Sequence, residues 1–198
     1  MPKSQRKIKS FYIDTNIALD YITGRNRQTI SVLDKIRDKG WKCISSSFLA
    51  MELADYKKDS LFVLDKVIEK KWEMRKILRE TYKKDLRRGD FEKIYDWFND
   101  FKESYKNLEL YDFLTDIHDW HFAQEISFNS NLSATDVIHL FSAISGSFTK
   151  NCKIMITSDK QLITEGQKIL DNYKLKTKLK IMKISDVDNK FFVKRSSS

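Results

Sequence analysis

Apolar positions along the chain follow two periods, and the switches between them predict the elements. "IKSFYID" (8–14) is a short strand-like run with a carboxylate at its C-terminal end. "TNIALDYI" opens a helix directly after it, which Gly24 stops. "RQTISVLDKIRDKG" (27–40) carries Ile30, Leu33 and Ile36 at helical spacing and closes on Gly40. "WKCIS" (41–45) is a second strand, and "SSFLAMELADY" (46–56) a helix with a serine cap. "LYDFLTDIHDWHFAQEISFNS" (110–130) predicts a helix ended by the Asn-Ser-Asn loop, and "SATDVIHLFSA" (133–143) the helix after it. "CKIMITSD" (152–159) is a strand again closed by a carboxylate. "KQLITEGQKIL" is a helix, and "KLKIMKISDV" (178–187) a last strand.

Strands alternating with helices predict an α/β fold, with a parallel sheet flanked by helices on both faces. No internal repeat or low-complexity linker interrupts the pattern, so residues 1–198 are expected to form one domain. Residues 61–107 are a Lys-rich, aromatic stretch without Pro, with Gly89 as its only glycine. They predict long helices meeting at Gly89 and inserted into the domain, too short and too charged to bury a core alone. Within this stretch "DKVIEKKWEMRKILRETYKKDLRRGD" (65–90) is amphipathic. Val67, Ile68, Leu78, Tyr82 and Leu86 fall on one side of a helix; Lys66, Lys70, Lys76, Lys83, Lys84, Arg87 and Arg88 fall largely on the other. Residues 190–198, ending in "KRSSS", are expected to be a loose tail.

Composition sharpens this picture. Five Gly and one Pro argue for long helices against a turn-rich all-β fold. A hydrophobic fraction of 41% is enough for a core. Lys plus Arg number 37 against 28 Asp plus Glu, a formal charge of +9 that suits a polyanionic partner such as nucleic acid. Cys43 and Cys152 each lie in a strand-like run beside an isoleucine, which predicts two buried free thiols in a reducing compartment. The basic N-terminus "MPKSQRKIKS" lacks the apolar region of a secretory signal, and no run approaches the ~18 apolar residues of a membrane span. A cytoplasmic protein without membrane contact is expected.

Four acidic residues stand out against this layout. Asp14 and Asp159 each end a strand and directly precede a helix, and sites in open α/β sheets form outside the carboxyl ends of the strands. Glu52 in "FLAMELA" and Asp136 in "SATDVIHLFSA" sit in otherwise apolar helices, where a carboxylate is costly unless paired or metal-bound. Each has a purely structural explanation. Asp14 and Asp159 can be N-caps, Ser133 and Asp136 can form a capping box, and Glu52 can snorkel at the surface. Taken together they offer the hard oxygen donors that Mg²⁺ or Mn²⁺ takes. His139, three residues past Asp136, is expected to be a hydrogen-bonded core histidine, because hard ions held by carboxylates rarely need imidazole. His118 and His121 lack the further ligands of a zinc site and predict a solvated helix face.

In order, "FYIDTNIALDYI", "SSSFLAMELAD", "LSATDVIHLFSA" and "IMITSDKQLI" resemble the four acidic motifs of PIN-domain ribonucleases, with the toxin-type, VapC-like members nearest. The likeness covers about residues 8–56 and 110–170. It implies a Rossmann-like parallel sheet flanked by helices, of the PIN-like kind, and a divalent-metal endoribonuclease with Mg²⁺ or Mn²⁺ as cofactor, RNA as substrate, and 5′-phosphate and 3′-hydroxyl products. It assigns Asp14, Glu52, Asp136 and Asp159 as the catalytic and metal-binding cluster. Asp14 and Asp136 are expected as direct ligands; Glu52 and Asp159 act through water or on the nucleophile. Thr15, Asn16 and Ser158, with Thr157, are expected in support. The toxin role implies an antitoxin protein as partner, and the family implies a homodimer. The segment between Glu52 and Asp136 is longer than the family usually has, which the inserted helices account for. Two alternatives stay open: a non-catalytic nucleic-acid-binding PIN-like module and a flap-type DNA nuclease. In the insertion, Lys76, Lys83, Lys84, Arg87 and Arg88 are either a phosphate-contacting arm for RNA or a solvated face. Tyr95, Trp97, Phe98, Phe101 and Tyr105 are expected to pack in a core, with a base-stacking platform or a groove for an antitoxin helix as the alternatives.

Overall fold

The computed structural model describes residues 10–80, 86–173 and 177–193. In order the chain runs β1 (Ser10–Ile13), α1 (Thr15–Ile22), α2 (Arg27–Asp38), β2 (Lys42–Ser46), α3 (Phe48–Leu64) and a π-helical turn (Asp65–Glu69). It continues with α4 (Met74–Glu80), α5 (Arg88–Ser104), β3 (Leu108–Tyr111), α6 (Ile117–Phe128), α7 (Ala134–Thr149), β4 (Cys152–Ile156), α8 (Lys160–Asn172), β5 (Lys180–Met182) and α9 (Ile184–Phe191). It divides into two compact units, Met1–Ser47 with Asn107–Ser198, and Phe48–Lys106.

The first unit carries the α/β fold expected from the alternation of elements. Its five strands are all parallel, in the order β3-β2-β1-β4-β5. From β1 the sheet grows one way through β2 and β3 and the other way through β4 and β5. The order therefore reverses between β1 and β4, where an open parallel sheet opens a crevice at its carboxyl edge. Ile13 pairs with Ile156 at that end of the two strands. β1 is buried along its whole length, as helices on both faces require. Tyr12 turns to the core shared with α6, α7 and α8, through residues such as Phe113, Ile126 and Leu140. Phe11 turns to the opposite face, where its ring meets Trp41 at 5.7 Å and Phe191 at 5.8 Å. Val32, Ile36 and Val187 bury their apolar sides of α2 and α9, each contributing roughly 1.5–3 kcal/mol.

The helices start and stop where short-range chemistry tells them to. The Asn26 side chain accepts the Gln28 and Thr29 amides at the head of α2, and Gly40, at φ +67°, reverses the chain after its end. Cys43 and Cys152 are buried free thiols, and burial pushes the Cys152 thiol up to about 12. Among the described residues no helix is long and apolar enough to cross a membrane.

Three expectations need correction. The helix expected over 110–130 is a strand and a shorter helix. Leu108–Tyr111 pair in parallel with Cys43–Ser46 as β3, and α6 begins only at Ile117. A four-residue strand gives too short a run for periodicity to separate it from the helix beyond. The helix start is nevertheless written in the chain, because Asp116 accepts the His118 and Asp119 amides while Asp119 accepts that of Asp116. The strand expected over 178–187 is confined to Lys180–Met182. "ISDV" instead opens α9, which buries Ile184 and Val187 and ties Asp188 to Lys35 of α2 at 2.8 Å.

The third correction lies in the second unit, where α3 and α5 pack together. The continuous amphipathic helix expected from 65 is broken after the π-helical turn. Lys71 adopts φ +50°, and the Trp72 amide reaches back to Lys66 O at 2.9 Å. Lys66, expected on the outer basic side, is 3% exposed. Its ammonium pairs with Asp65 at 2.7 Å and lies 5.1 Å from the ring centroids of both Phe62 and Trp72. A lysine paired and clasped between rings is a stable buried state, and a 3.6-residue pattern cannot foresee it. Of the aromatics expected in a core, Phe101 and Tyr105 are buried and Trp97 stacks on Tyr56, while Tyr95 is exposed. Tyr82, Lys83 and Lys84 lie outside the described residues, as do residues 194–198 of the expected tail.

Two glycines give opposite expectations for one substitution. At Gly40 an added Cβ meets nothing within 4 Å, but φ is +67°. Gly40→Ala is expected to destabilise by about 1 kcal/mol from backbone strain alone. Gly89, in the first turn of α5 with equally open surroundings, is expected to gain about 0.5 kcal/mol as Ala. Urea unfolding of both variants measures the two signs.

Candidate active site at the carboxyl edge of the sheet

Asp14 is the first residue beyond β1. Its amide extends the ladder to Ile156 O at 3.1 Å, and its carbonyl accepts the Ile17 and Ala18 amides that start α1. The backbone thus fixes Asp14 at the switch between strand and helix, and the residue is 4% exposed. A carboxylate so buried needs hydrogen bonds, and its neighbours supply them. Oδ1 accepts the Thr15 amide at 2.8 Å. Oδ2 accepts Asn16 Nδ2 at 2.6 Å and the Thr157 hydroxyl at 2.7 Å.

Thr157, the first residue beyond β4, joins the two strand ends. Its fully buried hydroxyl donates to Asp14 and accepts both Asn16 Nδ2 at 3.1 Å and the Asp159 amide at 3.0 Å. Asn16 Oδ1 accepts the Ser158 amide at 3.0 Å. Asp14, Thr15, Asn16, Thr157, Ser158 and Asp159 therefore form one network across the β1–β4 crevice. Ser158 enters it through its backbone; the supporting hydroxyl is that of Thr157.

Asp159 caps α8, its Oδ1 accepting the Leu162 amide at 2.8 Å. Asp136 closes the capping box of α7. The Ser133 hydroxyl and amide donate to its Oδ2 at 2.6 and 3.3 Å, and its amide donates back to Ser133 Oγ at 3.2 Å. Both carboxylates are half-buried. Among the described residues neither Asp136 Oδ1 nor Asp159 Oδ2 takes a hydrogen bond. Glu52 lies in α3 of the second unit, half-buried and flanked in sequence by the buried Leu49 and Leu53. In that unit Lys76 stacks on Trp72 at 4.0 Å, Arg87 pairs with Asp65 and Glu69 at 3.2 Å each, and Arg88 is exposed at the start of α5. His118 and His121 are exposed on α6.

No family model matches the chain, and no curated protein matches it. Among solved structures it is similar to the crystal structure of VapBC2 from Rickettsia felis bound to a DNA fragment from their promoter. The two are 14% identical, with 88% of this chain and 98% of that chain covered and a TM-score of 0.48.

Behind the acidic edge lies a second, drier layer. His139, one turn along α7 from Asp136, is 1% exposed, as expected of a core histidine. Its Nδ1 is 2.7 Å from Tyr12 Oη, and its Nε2 is 3.0 Å from Thr15 Oγ1 and 3.7 Å from Asp14 Oδ1. Burial, with the Asp14 charge adding to it, holds the Tyr12 phenol above its usual range, so it stays protonated. Sequence reasoning missed Tyr12, which only the register of β1 points at α7. It also missed Asp20, a buried carboxylate on the apolar side of α1 that pairs with Arg25 and accepts from Asn26 and Thr29 at 3.3 and 3.2 Å. The signal was present, for a carboxylate among Ile17, Ala18 and Leu19 is the same anomaly as Asp136.

As chemistry, the edge offers hard oxygen donors suited to a divalent cation. As geometry, no three His, Cys, Asp or Glu side chains among the described residues are gathered closely enough to hold one. Asp14 has both oxygens engaged, and Asp136 and Asp159 each have one oxygen engaged in a helix cap.

Thr157→Val is expected to leave Asp14 Oδ2, Asn16 Nδ2 and the Asp159 amide short of a partner together, at a cost of about 1–3 kcal/mol. Thr157→Ser, which keeps the hydroxyl, is expected to lose less than half as much. Denaturant unfolding of the pair separates the hydroxyl from the methyl.

Proposed function

We propose that the chain is an endoribonuclease of the PIN type, hydrolysing RNA phosphodiester bonds at the β1–β4 crevice with Mg²⁺ or Mn²⁺. One observation carries the reading. Asp14 and Asp159 follow adjacent parallel strands at the point where the sheet order reverses, joined through Thr157. The helix that bears Asp136 reaches the same network through His139. The four motifs named in the sequence supply the enzyme class, and Glu52 enters on that ground alone.

A divalent ion, when bound, supplies an acidified water and a counter-charge for the phosphoryl oxygens. The chain's own residues do the rest. The Thr15 amide, Asn16 and Thr157 hold Asp14 in one rotamer. Asp136 Oδ1 and Asp159 Oδ2 are the acceptors left over after the helix caps. The formal charge of +9 favours approach of a polyanion. In this reading residues 61–107 elaborate a single PIN-like domain, and Lys76, Lys83, Lys84, Arg87 and Arg88 contribute phosphate contacts. The biological setting is that of a toxin held by an antitoxin protein.

A second reading, a nucleic-acid-binding module without catalysis, rests on the lack of any gathered trio of donors among the described residues. One experiment decides. The purified protein is incubated with total RNA and with single-stranded DNA, with Mg²⁺ or Mn²⁺ and then with EDTA. RNA cleavage that needs the metal and disappears in Asp14→Asn and Asp136→Asn is expected. Cleavage that survives either substitution rejects the assigned site. RNA binding with no metal-dependent cleavage favours the module.

A further inference from the structure

His139 is buried, makes a hydrogen bond through each ring nitrogen, and lies 3.7 Å from Asp14 Oδ1 and one turn of α7 from Asp136. Its tautomer follows from its neighbours. Tyr12 Oη accepts the Ser46 amide at 3.3 Å and must place its own proton. Of the two serine hydroxyls facing the phenol, Ser45 donates to Ile13 O at 2.8 Å, and Ser142 Oγ lies within no geometric hydrogen bond among the described residues. His139 Nδ1, at 2.7 Å, is the short contact open to that proton, and an imidazole nitrogen is a stronger acceptor than a serine hydroxyl. With Nδ1 accepting, the ring proton sits on Nε2, which donates to Thr15 Oγ1 at 3.0 Å. Thr15 in turn supplies the amide bonded to Asp14 Oδ1.

We propose that His139 is a positioning residue. Tyr12 holds it as the Nε2–H tautomer, and it clamps Thr15 beneath Asp14 while its own helix carries Asp136 one turn away, so that one side chain sets the separation of the two carboxylates. The role rests on the nuclease reading; the tautomer does not. Partners that orient functional residues from behind typically matter by 10- to 100-fold.

Two measurements test it on the full chain. Long-range ¹H–¹⁵N correlation of the imidazoles reads the tautomer directly. Nε2–H is expected for His139 in the wild type, with a mixture in Tyr12→Phe; an Nδ1–H ring overturns the proposal. RNA cleavage kinetics supply the second. His139→Leu is expected to lower kcat about 10- to 100-fold with KM little changed. His139→Gln, whose amide nitrogen can replace Nε2–H, is expected to recover a large part of the loss. If His139→Leu fails to fold, Tyr12→Phe takes its place, with kcat again expected to fall. Wild-type-like kcat in a folded His139→Leu or in Tyr12→Phe overturns the positioning role alone. A wild-type protein that cleaves no RNA overturns the nuclease reading and the role with it, whatever the tautomer.

Discussion

A carboxylate 4% exposed at the end of a β-strand is the constraint around which the first unit is arranged. Removing Asp14 from water is costly unless its oxygens are satisfied. Three donors are required, and they come from three kinds of source: the next amide in the chain, an amide side chain two residues on, and a hydroxyl from a different strand. The third is the demanding one. It requires β4 to lie beside β1, parallel and in the register that pairs Ile13 with Ile156. A one-residue slip would carry the Thr157 side chain to the other side and leave Asp14 Oδ2 short of a bond. The polar network thus specifies a register that apolar packing alone, with both faces buried, would specify less sharply.

The same edge shows why helix capping and site building are hard to tell apart. Asp14, Asp136 and Asp159 each stand at the N-terminal end of a helix, where the dipole and the free amides favour negative charge. A parallel sheet with helical crossovers delivers helix N-termini to the carboxyl edge of its strands, so caps collect where ligands would bind. The structural and the functional readings of these residues are therefore two consequences of one topology. What separates the three acids is how fully the fold uses them. Asp14 has both oxygens engaged, whereas Asp136 and Asp159 each give one oxygen to a cap.

The α/β class, β1, β2, β4, α2 and the capping box at Ser133 were legible in the chain because each rests on local chemistry: an apolar run, an Asn or Ser cap, a closing Gly. β3 and the end of the last strand were not, because three or four residues carry too little periodicity to outvote a neighbouring helix. At the candidate site, Asp14, Asp136 and Asp159 stand out in the sequence, since carboxylates at strand ends and in apolar helices are local anomalies, whereas Asn16 entered through the family resemblance. Tyr12 and the choice of Thr157 over Ser158 could not. Those depend on which face of a strand a side chain takes and on the partner strand's register. Lys66 escaped for a related reason: its burial depends on Asp65, Phe62 and Trp72 meeting around it.

The two half-used carboxylates also set the energetic scale for any ion at this edge. A helix cap contributes roughly 1 kcal/mol. That is small beside the attraction of a divalent cation for a carboxylate in a partly buried crevice. Asp136 and Asp159, each tied by one oxygen to a cap, are therefore held less firmly than Asp14. Asp14 cannot turn without breaking three hydrogen bonds. The arrangement is that of one carboxylate fixed by the fold and two held by helix caps.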